Sequence, residues 1–259
     1  MVRRVSVERD RAAVSGFVTG DGTPSVVMIP SLGRGASDFF GLAERLAGAG
    51  LTSIAVDPRG IGESTGPSEG LTLHDYASDV VMLCESCGAI RVDVIGHAFG
   101  NRVARCLATY RPDLVRRVVL LAAGGQQRID PGVREALGRC FDTASSNDDH
   151  MASVATAFFA PGHDPSPWRD GWFGEAARAQ IAAVERTPFD RIASAGTADV
   201  LLIQGTRDRV APPEVGRAVA AAIGSRARYV EVDAGHAMLP ECGDDIARAV
   251  IDFLSDAGA

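Results

Sequence analysis

A chain of 259 residues, 46% hydrophobic and 23% charged, has the makeup of a globular protein with a large core, which excludes a disordered or fibrous chain. Its net charge of −7, with no Lys/Arg block, argues against a nucleic-acid or anionic-membrane surface, so the expected partner is a small molecule. No run approaches the roughly 20 apolar residues of a membrane span, and the two arginines near Met1 have no apolar segment behind them, so no signal peptide is expected. Five cysteines, an odd count, with Cys106 and Cys140 in segments that read as helical, fit a reducing, cytoplasmic compartment better than a disulfide framework.

Residues 2–8 and 13–18, divided by Glu8-Arg9-Asp10-Arg11, read as an opening antiparallel pair. Strands are then predicted near 25–29, 52–57, 91–95, 117–122, 199–204 and 228–232, with amphipathic helices near 37–49, 72–88, 99–110, 212–223 and 241–255. Such alternation predicts an α/β fold, a mostly parallel sheet with helices on both faces. The first of these strands runs into Pro30-Ser31-Leu32-Gly33-Arg34-Gly35, a glycine-rich loop suited to presenting backbone N–H groups. Within it Ser31 is a candidate for orienting water or substrate, or else a loop hydroxyl bonded to the backbone. Arg34 is a candidate partner for a substrate carboxylate, or else a solvated loop arginine.

Farther on, Cys84-Glu85-Ser86-Cys87 closes a helix and has no second pair or nearby histidine to complete a zinc site. Neither a metal nor a cofactor is expected. After the strand at 91–95 comes Gly96-His97-Ala98-Phe99-Gly100, in which glycines flank a position held by alanine. A strand-to-helix turn this tight strains its central residue and leaves the flanking positions little room beyond hydrogen. Where a nucleophilic serine would sit there is only the methyl of Ala98. His97 is expected to point away from the catalytic edge, as a structural histidine. His74, His150 and His163 lack partners at ligand spacing and read as surface or lid residues.

Between Gly124-Gly125 and about Ala195 the strand–helix rhythm lapses, while the aromatics, including both tryptophans of the chain, concentrate. The economical reading is a helical lid at 125–195 inserted into a core of 1–124 and 196–259. Phe141, Trp168 and Trp172 are its candidate substrate-lining residues, unless they glue the lid to the core. Beyond it, Asp208 and His236 each follow a strand, on loops that gather at one edge of a parallel sheet. Asp233, three residues before His236, competes with Asp208 as the acid that orients it.

Nucleophile position, acid and histidine stand in the order of a Ser…Asp…His triad. With Asp57-Pro58-Arg59-Gly60-Ile61-Gly62-Glu63-Ser64, which is similar to the D-x-R-G-x-G-x-S turn, these motifs make the chain resemble the α/β-hydrolase superfamily over nearly its whole length. The resemblance implies that Leu32 and Phe99 supply the two amides of an oxyanion hole, that Asp208 holds His236, and that Asp57 and Arg59 brace the fold. Two departures stand out: Pro30-Ser31 in place of His-Gly, and Ala98 in place of serine.

Without a hydroxyl no acyl-enzyme forms at position 98, but a His236/Asp208 dyad can still activate water for a labile ester, lactone, enamine or related carbonyl compound. Two histories give this alanine. One is an engineered knockout of a serine hydrolase; the other is a native serine-less enzyme, whose elbow is similar to that of the aminoacrylate hydrolases of pyrimidine degradation. The alternatives to hydrolysis are a lyase or cyclase using the same dyad for proton transfer, and a ligand-binding pseudoenzyme. The sequence leaves the oligomeric state open.

Overall fold

The computed structural model describes residues 1–124, 129–142 and 144–256. Its first two strands, β1 (Val2–Arg9) and β2 (Ala12–Thr19), pair antiparallel from Val2 opposite Thr19 to Arg9 opposite Ala12. They are followed by β3 (Val26–Ile29), β4 (Ser53–Asp57), β5 (Val92–His97), β6 (Val115–Leu121), β7 (Asp199–Gly205) and β8 (Ala227–Val232). Among the described residues these make one sheet in the order β1-β2-β4-β3-β5-β6-β7-β8. Only the β1–β2 and β2–β4 pairs are antiparallel.

The central strands are mostly apolar because both faces are covered, and successive residues face opposite layers. Val27, Val94, Val118, Leu120 and Leu202 belong to the layer under α2 (Leu73–Ser86), α3 (Phe99–Tyr110) and α7 (Pro213–Ile223). Met28, Ile95, Val119, Leu121 and Ile203 belong to the layer under α1 (Phe40–Gly48) and α8 (Met238–Ser255). The expected helix at 37–49 is divided, a 3-10 turn at Ala36–Phe39 leading into α1. The last helix starts three residues earlier than expected, at Met238. Pro240 is tolerated in its first turn, where amides have no intrahelical acceptor.

Between β6 and β7 the chain forms α4 (Pro131–Arg139), α5 (Asn147–Phe158) and α6 (Gly174–Arg186). Its expected starting point at residue 125 lies outside the described residues. Asp130 caps α4, accepting from the amides of Gly132 and Val133, and Ser146 caps α5 through the amide of Asp149. The insertion has a small core of its own around Cys140, Val154, Phe158, Phe159 and Trp168, which reaches Ala237 of the main domain. It therefore packs where the β8 strand ends.

Candidate active site

At the end of β5 the chain turns into α3 through Ala98, whose φ of 48° and ψ of −104° lie in a region costly for a side chain. What forces that turn is the closeness of the neighbouring backbone. A Cβ on Gly96 would lie 2.4 Å from the carbonyl oxygen of Gly100, and one on Gly100 would lie 2.0 Å from that of Ile29. Glycine is therefore required at both positions. Ala98 is half-buried between buried neighbours, and the Phe99 amide, heading α3, has no intrahelical acceptor.

Two and three strands away, the loops after β7 and β8 are bound to each other. The amides of Thr206 and Arg207 donate to the carbonyls of Val232 and Ala234 at 2.9 Å. Gly205 permits this approach, since a Cβ there would sit 2.4 Å from the Gly235 carbonyl oxygen. The result is a 2.8 Å hydrogen bond from His236 Nδ1 to Asp208 Oδ2, with the two side chains 3% and 0% exposed. Oδ1 of Asp208 accepts the amides of Val210 and Ala211, each at 2.8 Å. With the carboxylate engaged on both oxygens, the imidazole carries its proton on Nδ1 and leaves the Nε2 lone pair to act as a base. Asp233 takes no part: its side chain is 81% exposed and pairs with Arg207.

His97 departs from expectation. Its side chain is fully buried, but beside His236 rather than away from it, with the two imidazole centroids 5.2 Å apart. Nε2 of His97 donates to the backbone carbonyl of His236 at 2.9 Å, and its Nδ1 is buried without a partner. Burial, with His236 close by, holds its pKa down at about 3, so the ring is neutral.

The 31–35 loop crosses the end of β3 in a turn in which the Arg34 amide donates to the Ser31 carbonyl. Ser31 is buried and Leu32 half-buried. Gly33, at φ 60°, is held by the insertion: its amide donates to Gln180 Oε1 at 2.8 Å and its carbonyl accepts the Phe173 amide at 3.0 Å. From the core side, Asp57 Oδ1 accepts the Ala36 amide at 2.7 Å, the Ser64 hydroxyl donates to the Asp57 carbonyl, and Arg59 pairs with Asp79. The Asp57–Ser64 turn thus braces the loop.

Arg34 is not the solvated residue that its loop position suggested. It is 3% exposed, forks onto both oxygens of Asp38 at 3.0 and 2.6 Å, and donates to the Asp170 carbonyl at 2.7 Å. Its guanidinium lies 4.7 Å from the Trp168 ring and 4.6 Å from the Trp172 ring. Its N–H groups are thereby directed at Asp38 and the insertion backbone. Trp168, 2% exposed, packs on Phe158, Phe159 and Trp172, and Phe141 packs edge-on against Trp172. A cleft of about 370 Å³ opens beside Arg34, Asp38 and Trp168, with neither Ala98 nor His236 in its lining.

Three residues that sequence reasoning did not select complete the site. The Phe158 ring lies 5.7 Å from that of His236, Gln180 pins Gly33, and Glu241 joins the loop before His236 to the insertion. Phe158 was one aromatic among many in its segment, and a glutamate in the first turn of a helix reads as ordinary compensation of the helix dipole. Among the described residues, no group of acidic, histidine and cysteine side chains is placed to hold a metal ion, and no helix is long and apolar enough to cross a membrane. All five cysteines are free.

Residues 24–163 match the family model described as alpha/beta hydrolase fold, and residues 175–259 match one described as TAP-like protein. The 2-hydroxymuconate semialdehyde hydrolase of Pseudomonas putida is 26% identical over 80% of this chain and 78% of its own length. Among solved structures, the enol-lactonase from Burkholderia xenovorans LB400 superposes with a TM-score of 0.77 at 26% identity, covering 95% of this chain and 97% of its own. A hydrolase from Pseudomonas aeruginosa PA01 superposes with a TM-score of 0.80 at 22% identity, covering 97% and 98%, a likeness of fold alone.

Proposed function

The chain belongs to the α/β-hydrolase fold family, and from that premise we propose that it hydrolyses a small ester, lactone, enamine or related carbonyl compound without a serine nucleophile. The observation that carries this reading is the fully engaged Asp208 carboxylate behind Nδ1 of a buried His236. It leaves one basic nitrogen at the sheet edge that also bears Ala98. For an ester or lactone, Nε2 takes a proton from water, and the oxygen attacks the substrate carbonyl carbon. The charge that develops on the carbonyl oxygen is received by the Leu32 and Phe99 amides. Collapse expels the leaving group, which recovers the proton from the imidazolium. The insertion acts as the lid that excludes bulk water.

The names of two relatives, a semialdehyde hydrolase and an enol-lactonase, support a substrate with a reactive carbonyl or enol. Lability matters, because general-base catalysis supplies about 10²–10⁴-fold and no covalent intermediate adds to it. The test compares the chain, Ala98→Ser and His236→Ala on p-nitrophenyl esters, lactones and enamine acids in ¹⁸O-water. Turnover by the alanine form, with ¹⁸O in the product and a loss of about 10²–10⁴-fold in His236→Ala, is the expected result. Activity only in Ala98→Ser would identify a serine hydrolase lacking its nucleophile. Product free of ¹⁸O would indicate a lyase or cyclase, and ligand binding without turnover in either form a pseudoenzyme.

A further inference from the structure

We infer that Glu241 is a positioning residue that makes the seating of the lid and the placement of His236 one event. The functional meaning rests on His236 being the base; the geometry does not. Glu241 is half-buried in the first turn of α8, just before the helix is interrupted at Cys242 (φ −144°, ψ 42°). Its Oε2 accepts the Gly235 amide at 2.5 Å and its Oε1 accepts the Ala160 amide at 2.8 Å. One of those amides immediately precedes His236. The other belongs to the lid segment that carries Phe158.

The two segments also meet directly. The Ala237 amide donates to the Phe158 carbonyl at 2.8 Å, and a Cβ on Gly235 would lie 2.6 Å from both the Ala160 nitrogen and the Phe158 carbonyl oxygen. Gly235 and Ala237 flank the base, so lifting the 158–160 segment frees the loop on both sides of it. The same movement withdraws the Phe158 ring from the imidazole, now 5.7 Å away. A carboxylate suits this bridge because it offers an acceptor to each amide. A carboxamide of the same shape has one acceptor oxygen, so one of the two amides must go without.

Amide hydrogen exchange on the full chain, with Glu241→Gln and Glu241→Ala, tests the coupling. Both the Gly235 and Ala160 amides should exchange about tenfold faster or more in Glu241→Ala, each having lost a bond to a charged acceptor. The His236 Nδ1 proton resonance should broaden, and kcat should fall by a larger factor than KM changes. Phe158→Ala, which removes the ring but keeps the backbone contacts, should leave both amides protected. If Glu241→Ala melts too early to measure, Glu241→Gln carries the test: one amide loses its acceptor, and through the coupling the other should exchange faster as well. Unchanged exchange at both amides, or faster exchange at only one of them, overturns the inference. Should the wild-type protein turn nothing over while both amides still lose protection together, the hydrolase reading falls and the coupling stands.

Discussion

The imidazole of His97 donates a 2.9 Å hydrogen bond to the backbone carbonyl of His236, so the residue before the elbow alanine supports the chain that carries the second imidazole. His97 sits at the end of β5 and His236 beyond β8, with β6 and β7 between those strands in the sheet. The bond therefore ties the central strand to the edge of the sheet at the carboxyl ends of the parallel strands.

That support has a pH signature. The unfolded chain protonates His97 below pH 6.5, whereas the folded protein resists protonation down to about pH 3. In that window the unfolded state binds the extra proton, so stability is complete above pH 6.5 and falls as the pH drops towards 3. The limiting slope for one proton is about 1.4 kcal/mol per pH unit. Urea unfolding from pH 7 to 4.5 should show a shallower loss in His97→Gln than in wild type. Parallel slopes in the two proteins would rule out His97 as the titrating group.

Asp208→Asn tests the tautomer argument separately from the presence of the imidazole. An asparagine oxygen can still accept the Val210 and Ala211 amides, but its NH2 group then faces His236 Nδ1 and favours the wrong tautomer. Turnover should fall by about 10²–10⁴-fold with little change in folding. Retention of more than a tenth of the wild-type kcat would show that Nε2 of His236 is not the working base.

Gly100→Ala should be strongly destabilising, since its Cβ would be placed 2.0 Å from the Ile29 carbonyl oxygen. The expected cost is about 3 kcal/mol or more, from backbone that must move. Gly138→Ala, in α4 with nothing within 4 Å of the new methyl, should stabilise instead, by about 0.5–1 kcal/mol. Chemical denaturation of both measures the contrast, and similar effects at the two positions would contradict the packing account of the elbow.

Arg34 and Asp38, each 3% exposed at the side chain, form a buried pair, and burial pushes the Asp38 carboxyl above its usual range despite the guanidinium. Arg34→Met strands that carboxylate and should cost about 3–5 kcal/mol, whereas Arg34→Met with Asp38→Leu should recover most of the loss. If Arg34 instead served a substrate carboxylate, the single variant would raise KM and leave the unfolding midpoint in place.

Much of this protein was legible along the chain. The eight strands, the elbow glycines, Asp208 and His236 are all signalled by local pattern, because a β–turn–α unit is fixed by neighbours in sequence and a parallel sheet brings its loops to one edge. The preference for Asp208 over Asp233, by contrast, comes from the resemblance to the family's triad order, since both aspartates follow strands. The sequence also determined that position 98 bears no nucleophile.

Tertiary structure alone decided what those residues touch. Nothing near Arg34 in the sequence places Trp168 and Trp172 against its guanidinium, nor does anything near His97 turn its ring under the His236 backbone. Glu241 reads as a helix-start glutamate until the fold brings Ala160 and Gly235 to its two oxygens. The physical reason is common to all three. Local pattern reports which face of a segment is buried, whereas in each of these cases a partner comes from chain 81–139 residues away, where satisfying each N–H and each charge selects a single arrangement.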